Sequence, residues 1–247
     1  MKALDKVFKI IELLRAMPEL SLKDLSEKLE INKSTTYRML YSLAKHNYIE
    51  KNTETKKYKL SIKFAEIGYQ VLQNLDIIVA AKELIDELNQ ATKVTIHLAK
   101  LIGDEVVYID KRESLSPIRL SSQIGRVVLW HCTGVGKAIL AFQPKEFQDR
   151  IINSLDFHVF TENTISNKEK FTIELEMIKK SGYATDREEH QKNVGCIAAP
   201  IFDHTKRVIA SISVTFLYEK LDEQVKNYKD MILKTSMMIS RQMGYKY

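Results

Sequence analysis

Two stretches of the chain set side chains at spacings that could do chemistry. Lys33-Ser34-Thr35, followed by Tyr37 and Arg38, brings cations, hydroxyls and a phenol together in close succession. At the start of a helix, such hydroxyls and free backbone N–H groups can hold a phosphate, whereas an arginine one turn in reaches a base edge, most naturally guanine O6 and N7. Arg38 is the candidate for reading bases; Lys33, Ser34, Thr35 and Tyr37 are candidates for holding the backbone. Thr133-Gly134-Val135-Gly136 reads as a turn opening a helix, whose N–H groups and positive dipole end would suit a carboxylate. The same two glycines would equally serve close packing of helix on sheet.

Catalytic motifs are incomplete. A phosphate loop of the form GxxxxGK[ST] needs glycine where His131 stands and serine or threonine where Ala138 stands, and GxGxxG needs glycine at Ile139. Cys132 follows His131, and Cys196 comes six residues after His190. A cysteine nucleophile with a histidine base, or a metal site, stays open as an alternative. No HExxH or HxE…CxxC spacing accompanies them, and His97, His158 and His204 read as ordinary core or surface histidines. Neither an enzyme nor a cofactor or metal is expected.

Elements must position these residues. Ser21 with Asp24 is a capping-box signature, and Leu22, Leu25 and Leu29 then recur at helical spacing. After a short turn at Glu30 and Ile31, Asn32 caps a second helix running to about His46, about 21 Å long. On it Thr36, Leu40 and Leu43 share one stripe, while Ser34, Arg38, Tyr41 and Lys45 share another. Tyr48-Ile-Glu-Lys and Lys57-Tyr-Lys-Leu flank Asn52-Thr-Glu-Thr-Lys, a hairpin with Lys51, Lys56 and Lys57 near its tip. A packing helix carries Leu4, Val7, Phe8, Ile11 and Leu14 and stops near Pro18. Helix, turn, helix and basic hairpin in that order describe a winged helix-turn-helix that puts one helix into the DNA major groove, with Lys56 and Lys57 on phosphates.

Charge agrees with this reading. Residues 1–75 hold 14 Lys and Arg against 9 Asp and Glu, so +5 of the chain's net +6 sits on the N-terminal third. Counterion release from DNA needs lysines on the reading head, whereas an enzyme drawing an acidic substrate would gather them around a pocket in the larger part. The chain has 247 residues, 45% hydrophobic and 28% charged, which suits one or two globular domains. No run of 18 apolar residues and no signal-peptide pattern occurs, so a cytoplasmic protein with no membrane partner is expected. The two cysteines are 64 residues apart and fit reduced thiols.

Helical periodicity returns over residues 62–89 as two helices meeting near Asn74-Leu-Asp76; the first bridges two domains and could pack on its copy in a dimer. Beyond Lys93, strands are expected at 94–101, 105–111, 118–123, 157–160, 196–202 and 208–216, and helices at 134–142, 145–153, 168–181 and 221–242. Strands and helices mix without a βαβ repeat, so the fold class is α+β around a largely antiparallel sheet.

Two segments carry a family texture, Gly125–Ala141 and Gly182–Phe202; within them His131-Cys-Thr-Gly-Val-Gly-Lys-Ala-Ile-Leu-Ala141, and Thr185-Asp-Arg-Glu-Glu-His190 with Gly195-Cys-Ile-Ala-Ala-Pro-Ile-Phe202, are specific. With the winged helix before them, they resemble the IclR family of bacterial transcriptional regulators over essentially the whole chain. The resemblance implies a GAF-like effector domain that binds a small organic or aromatic acid, in dimers or tetramers on operator DNA. It further implies that the turn at Gly134 and Val135 holds the effector carboxylate, with polar contacts from Asp186, Cys196, Ser213 and Thr215 and apolar walls from Leu120, Val128 and Val194. Threonine at 215, where serine is frequent, and variable wall residues leave the ligand's identity open. Taken alone, Cys196 also suits a small core position and Ser213 an outward place on its strand.

The expected protein is a ligand-responsive, homo-oligomeric DNA-binding regulator, a repressor rather than an activator. Residues 1–60 form the winged helix-turn-helix domain, 61–75 a linker helix, and 76–247 the GAF-like effector domain. The alternative is a GAF-like small-molecule-binding or enzymatic module whose N-terminal domain contacts protein instead of DNA.

Overall fold

A computed structural model describes residues 3–73, 76–114, 122–218 and 221–246. The chain divides into two compact units, Met1–Asn74 and Leu75–Tyr247.

The first unit runs α1 (Ala3–Ala16), α2 (Leu22–Leu29), α3 (Lys33–Lys45), β1 (Ile49–Lys51), β2 (Tyr58–Leu60) and α4 (Lys63–Gln73). Local chemistry sets its boundaries. Ser21 Oγ accepts the Asp24 N–H while the Asp24 carboxylate accepts the Ser21 N–H at 2.9 Å, completing the capping box. Glu30 ends α2 in the left-handed region, and Asn32 Oδ1 accepts the Thr35 N–H at 2.8 Å to start α3. Ile10, Leu14, Leu25, Leu29, Leu40, Leu43, Ile49 and Tyr58 close one core. At the hairpin tip Asn52 Oδ1 accepts the N–H groups of Glu54 and Thr55, at 2.8 and 3.0 Å. Leu20 and Tyr58 exchange backbone hydrogen bonds of 3.1 and 2.8 Å, which ties the hairpin to the start of α2. The first turn of α4 is fastened to the end of α3. Lys63 Nζ donates to the His46 carbonyl at 3.0 Å and lies 4.6 Å from the centre of the Tyr48 ring, Ser61 donates to the Asn47 carbonyl, and Phe64 meets Tyr48 edge-on.

The second unit runs α5 (Asp76–Thr92), β3 (Thr95–Ile102), β4 (Glu105–Arg112), β5 (Val127–Val128), α6 (Gly134–Leu140), α7 (Lys145–Ser154), α8 (Lys168–Ser181), β6 (Ala184–Arg187), β7 (Val194–Phe202), β8 (Val208–Leu217) and α9 (Leu221–Gln242). Its six strands pair antiparallel throughout, in the order β5-β4-β3-β8-β7-β6. Alternation along the strands splits the sheet into two faces. Ile96, Leu98, Ile197, Ile212 and Val214 pack with α5 and α9, whereas Ala99, Ala184 and Ala198 pack with α6, α7 and α8. Both faces of β7 are covered, which is why it reads as an unbroken apolar run.

The α+β class and the antiparallel sheet agree with the reading above, but the strand expected at 157–160 needs correction, and so does the described end of the one at 118–123. Residues 157–160 form no strand. Their alternating rings instead pack edge-on, Phe157 against His131 and Phe171, while side chains hold the backbone, with Phe160 N–H donating to Thr164 Oγ1 at 3.1 Å. Of the expected strand at 118–123, residues 118–121 lie outside the described residues, and Ser122 and Gln123 are not in a strand. The short strands β5 and β6 were not anticipated.

Candidate functional site

On the first unit, Arg38 and Lys33 are exposed on α3, as are Tyr37 and Ser34, and Thr35 is half-buried. Thr36, Leu40 and Leu43 are buried on the opposite stripe. The cap draws on two candidates: Ser34 Oγ donates to Asn32 Oδ1 at 3.0 Å, and Thr35 supplies the capped N–H. Arg38 has no hydrogen-bond or ion-pair partner among the described residues, so its guanidinium is available to a base edge. Lys33, Tyr37 and Lys56 converge with Ser21, Lys23, Lys51 and Tyr58 on a shallow groove of about 320 Å³ between α2, α3 and the hairpin. Lys57 is exposed and does not line it. Lys51 joins Lys56 as expected of the lysine-bearing hairpin, whereas Ser21, Lys23 and Tyr58 were not anticipated as neighbours of this groove.

The second unit contains a cavity of about 340 Å³ on the α6 face of the sheet. Strand register builds its floor: Asp186 pairs with Cys196, and Cys196 with Thr215, while Ser213 pairs with His97. Gly134, Val135, Val128 and Val194 complete the anticipated set, so every candidate effector residue except Leu120 lines this one cavity. Leu120 lies outside the described residues. Ser213 faces the cavity, which removes the outward alternative on its strand.

Threonine 133 caps α6, accepting the Gly136 N–H at 3.2 Å and donating to the Leu129 carbonyl at 2.6 Å. The packing reading of the glycines holds as well. A Cβ on Gly134 would stand 2.5 Å from Cys196 Sγ and 3.2 Å from Ala198 Cβ, and one on Gly136 would stand 2.6 Å from the Leu129 carbonyl oxygen. Gly134→Ala is therefore expected to cost about 1–3 kcal/mol of stability. Thermal unfolding checks this, and Cys196→Ala, which removes the sulfur in the way, should recover part of the loss.

Histidine 97 is a core residue, as its type allows, but not an ordinary one. It is buried and lines the cavity, with Nδ1 3.2 Å from Thr215 Oγ1, Nε2 2.7 Å from Ser122 Oγ, and its ring 4.9 Å from that of Tyr108. Burial, reinforced by Lys111, pulls its pKa to about 3, so the ring is neutral and offers one donor and one acceptor. Tyr108, Arg126, Phe160 and His190 line the cavity too and were not anticipated as site residues. Arg126 and His190 had a signal, standing inside the Gly125–Ala141 and Gly182–Phe202 segments.

Beneath the cavity lies a buried charge cluster. Lys137 is fully buried, and its Nζ sits 2.5 Å from Glu189 Oε1 and 3.2 Å from Glu174 Oε1. Burial works against its charge, but Glu189 and Glu174 outweigh burial and hold the pKa above the ordinary lysine value. Asp186 Oδ1 accepts the Glu189 N–H at 2.7 Å. Burial, with Glu189 adding to it, pushes the Asp186 carboxyl up to about 7. The thiols behave oppositely to a catalytic cysteine. Burial, followed by Asp186, raises Cys132 to about 12 and Cys196 well above its usual range, so neither is a thiolate near neutrality. Among the described residues no group of three or more His, Cys, Asp or Glu is placed to hold a metal ion, and no helix is long and apolar enough to cross a membrane.

Comparison with known proteins covers nearly the whole chain. Residues 69–241 match the family model described as bacterial transcriptional regulator IclR C-terminal, and residues 3–53 match the IclR helix-turn-helix domain. The HTH-type transcriptional regulator KdgR of Dickeya chrysanthemi is 36% identical over 241 residues, which cover 97% of this chain and 79% of that protein. The crystal structure of the Thermotoga maritima IclR superposes with a TM-score of 0.83 at 32% identity, covering 98% of both chains. An IclR homolog of Microbacterium hydrocarbonoxydans, solved with 4-hydroxybenzoate, superposes with a TM-score of 0.85 at 16% identity, covering 98% of this chain and 99% of that one, and shows likeness of fold.

Proposed function

The chain belongs to the IclR family of bacterial transcriptional regulators, and from that membership we propose that it is switched by a small carboxylic acid bound in the α6 cavity. It is a transcriptional regulator with a DNA-binding helix-turn-helix, not an enzyme. The observation that carries the proposal is convergence. Gly134, Val135, Asp186, Cys196, Ser213 and Thr215 come from four separate elements onto one cavity large enough for a small acid. That a fold relative was solved with 4-hydroxybenzoate supports an acid as the ligand class.

On this reading α3 enters the major groove, Arg38 reads a base, and Lys33, Ser34, Thr35, Tyr37, Lys56 and Lys57 hold phosphates. Operator DNA is bound by a homodimer or tetramer in the cytoplasm, and the outcome at the promoter is repression. The acid alters DNA affinity only by preferring one arrangement of the paired reading heads, since a ligand indifferent between states shifts nothing. Residues 61–75 link the head to the sensing domain of residues 76–247.

Fragments from upstream of the protein's own and neighbouring genes, competed with random DNA, test this. Specific binding is expected that one acid in a pool of small organic acids changes. Raising salt from about 50 to about 200 mM is expected to weaken it roughly a thousandfold, if about six phosphates are contacted. Lack of preference over random DNA would sink the operator role, and specific binding that no acid alters would sink the effector role.

A further inference from the structure

Charge beneath the cavity is already in excess on the negative side. Among the described residues Lys137 is the cation of the buried cluster, with two carboxylates, Glu189 and Glu174, in contact with it, whereas Arg126 lines the cavity from an exposed position. A third carboxyl, Asp186, is joined to the same turn through the Glu189 N–H and lines the cavity. Glu189 Oε2 is buried without a hydrogen-bond partner among the described residues, so the cluster lacks donors rather than acceptors. Cys196 links the two sides of the floor: its register partner is Asp186, and its sulfur lies against Gly134, 2.5 Å from where a Cβ there would stand. An acid held at Gly134 and Cys196 therefore brings a fourth carboxylate beside a carboxyl that is 7% exposed.

We propose that the cavity takes its acid together with one proton, shared between Asp186 and the ligand carboxylate, so that the protonated Asp186 carboxyl is the donor that recognises the acid. This rests on the effector reading above. Asp186 keeps or gains a proton, its O–H donates to the ligand carboxylate, and the carboxyl still accepts the Glu189 and His190 N–H groups. No bond to carbon forms or breaks. Like charges in contact cannot both stay ionised in a buried site, and one proton between them replaces repulsion with a charge-assisted hydrogen bond.

Burial raises two carboxyls here, Asp186 and Glu189, with Lys137 holding Glu189 down; of the two, Asp186 lines the cavity. On β7 the Cys196 thiol, and before α6 the Cys132 thiol, are raised well above neutrality, as is Tyr108 on β4. His190, in the turn after β6, is lowered by burial, then Arg126, and His97 on β3 lies at about 3. Lys137 on α6 keeps its proton, and Glu174 on α8 faces Lys137. The sign follows. The free Asp186 carboxyl loses its proton as pH rises through about 7, so the binding-competent fraction is full below that pH and shrinks above it.

Isothermal calorimetry of the full chain with pyruvate, gluconate and 4-hydroxybenzoate, from about pH 6 to about pH 9 in buffers of different ionisation enthalpy, tests this. For an acid that binds, the dissociation constant should be level below about pH 7 and rise about tenfold per pH unit above it. At the alkaline end the heat should vary with the buffer as about one proton is taken up. Asp186→Asn, which keeps a donor in place but cannot titrate, should flatten both. An acid that binds with one dissociation constant and a buffer-independent heat throughout overturns the proposal and leaves the effector reading standing. If none of the three binds, carbon-13 NMR of the Asp186 carboxyl in the free protein decides. A carboxyl fully ionised at about pH 6 overturns the proposal, and one still protonated there upholds its donor.

Discussion

Lys137→Met is expected to cost about 3–5 kcal/mol of folding stability at neutral pH, because it strands Glu189 and Glu174 without their buried cation. Methionine fills most of the lysine's volume, so the loss reports charge rather than a cavity. The pH dependence has a definite sign. In the parent, the raised lysine pKa means that the pair's contribution is fully present below the ordinary lysine pKa of 10.5 and is lost as pH rises through the higher folded value. In the variant the stranded carboxylates protonate as pH falls, so the deficit should shrink toward about pH 5. Urea unfolding at about pH 5 and about pH 8 measures both. A deficit below about 1 kcal/mol, or one equal at the two pH values, would mean that the cluster is solvated rather than buried.

Arg38→Ala should weaken operator binding by about 1–3 kcal/mol per half-site and relax base preference at one position in each. The residue is exposed one turn into α3, and no partner among the described residues competes for its guanidinium. Lys56→Ala makes the contrast. It lines the basic groove at the hairpin, so its loss should weaken binding to all sequences alike and reduce the salt slope by about 1. Titration of both variants against operator and random DNA at two salt concentrations separates the roles. Equal losses on both DNAs for Arg38→Ala would remove it from base reading.

What was legible in the residues was local. Ser21 with Asp24 and Asn32 with Thr35 are contacts over three residues, and they appear in the sequence as they appear in space. The sheet-borne site is non-local. Asp186, Cys196 and Thr215 become neighbours only once β6, β7 and β8 are in register, and without family resemblance nothing in their spacing connects them. His97 was passed over for the same reason, since its partners stand 25 and 118 residues away. Lys137 carries no local sign of its burial, because Glu174 and Glu189 lie 37 and 52 residues further on. The false strand at 157–160 shows the converse error. Alternating bulky residues satisfied a two-residue period, yet hydroxyls of Thr161 and Thr164 donating to the carbonyls of Glu188 and Glu189 hold that stretch as a loop.

The fastening at the start of α4 has a consequence for anyone exchanging reading heads between regulators. Cutting after residue 60, where the winged domain ends by pattern, would sever the Lys63 ammonium from the His46 carbonyl and the Phe64 ring from Tyr48, and would leave the C-terminal end of α3 without its buttress. A transplantable head therefore includes α4 through Gln73, and the seam for a chimera falls where the two compact units part, between Asn74 and Leu75.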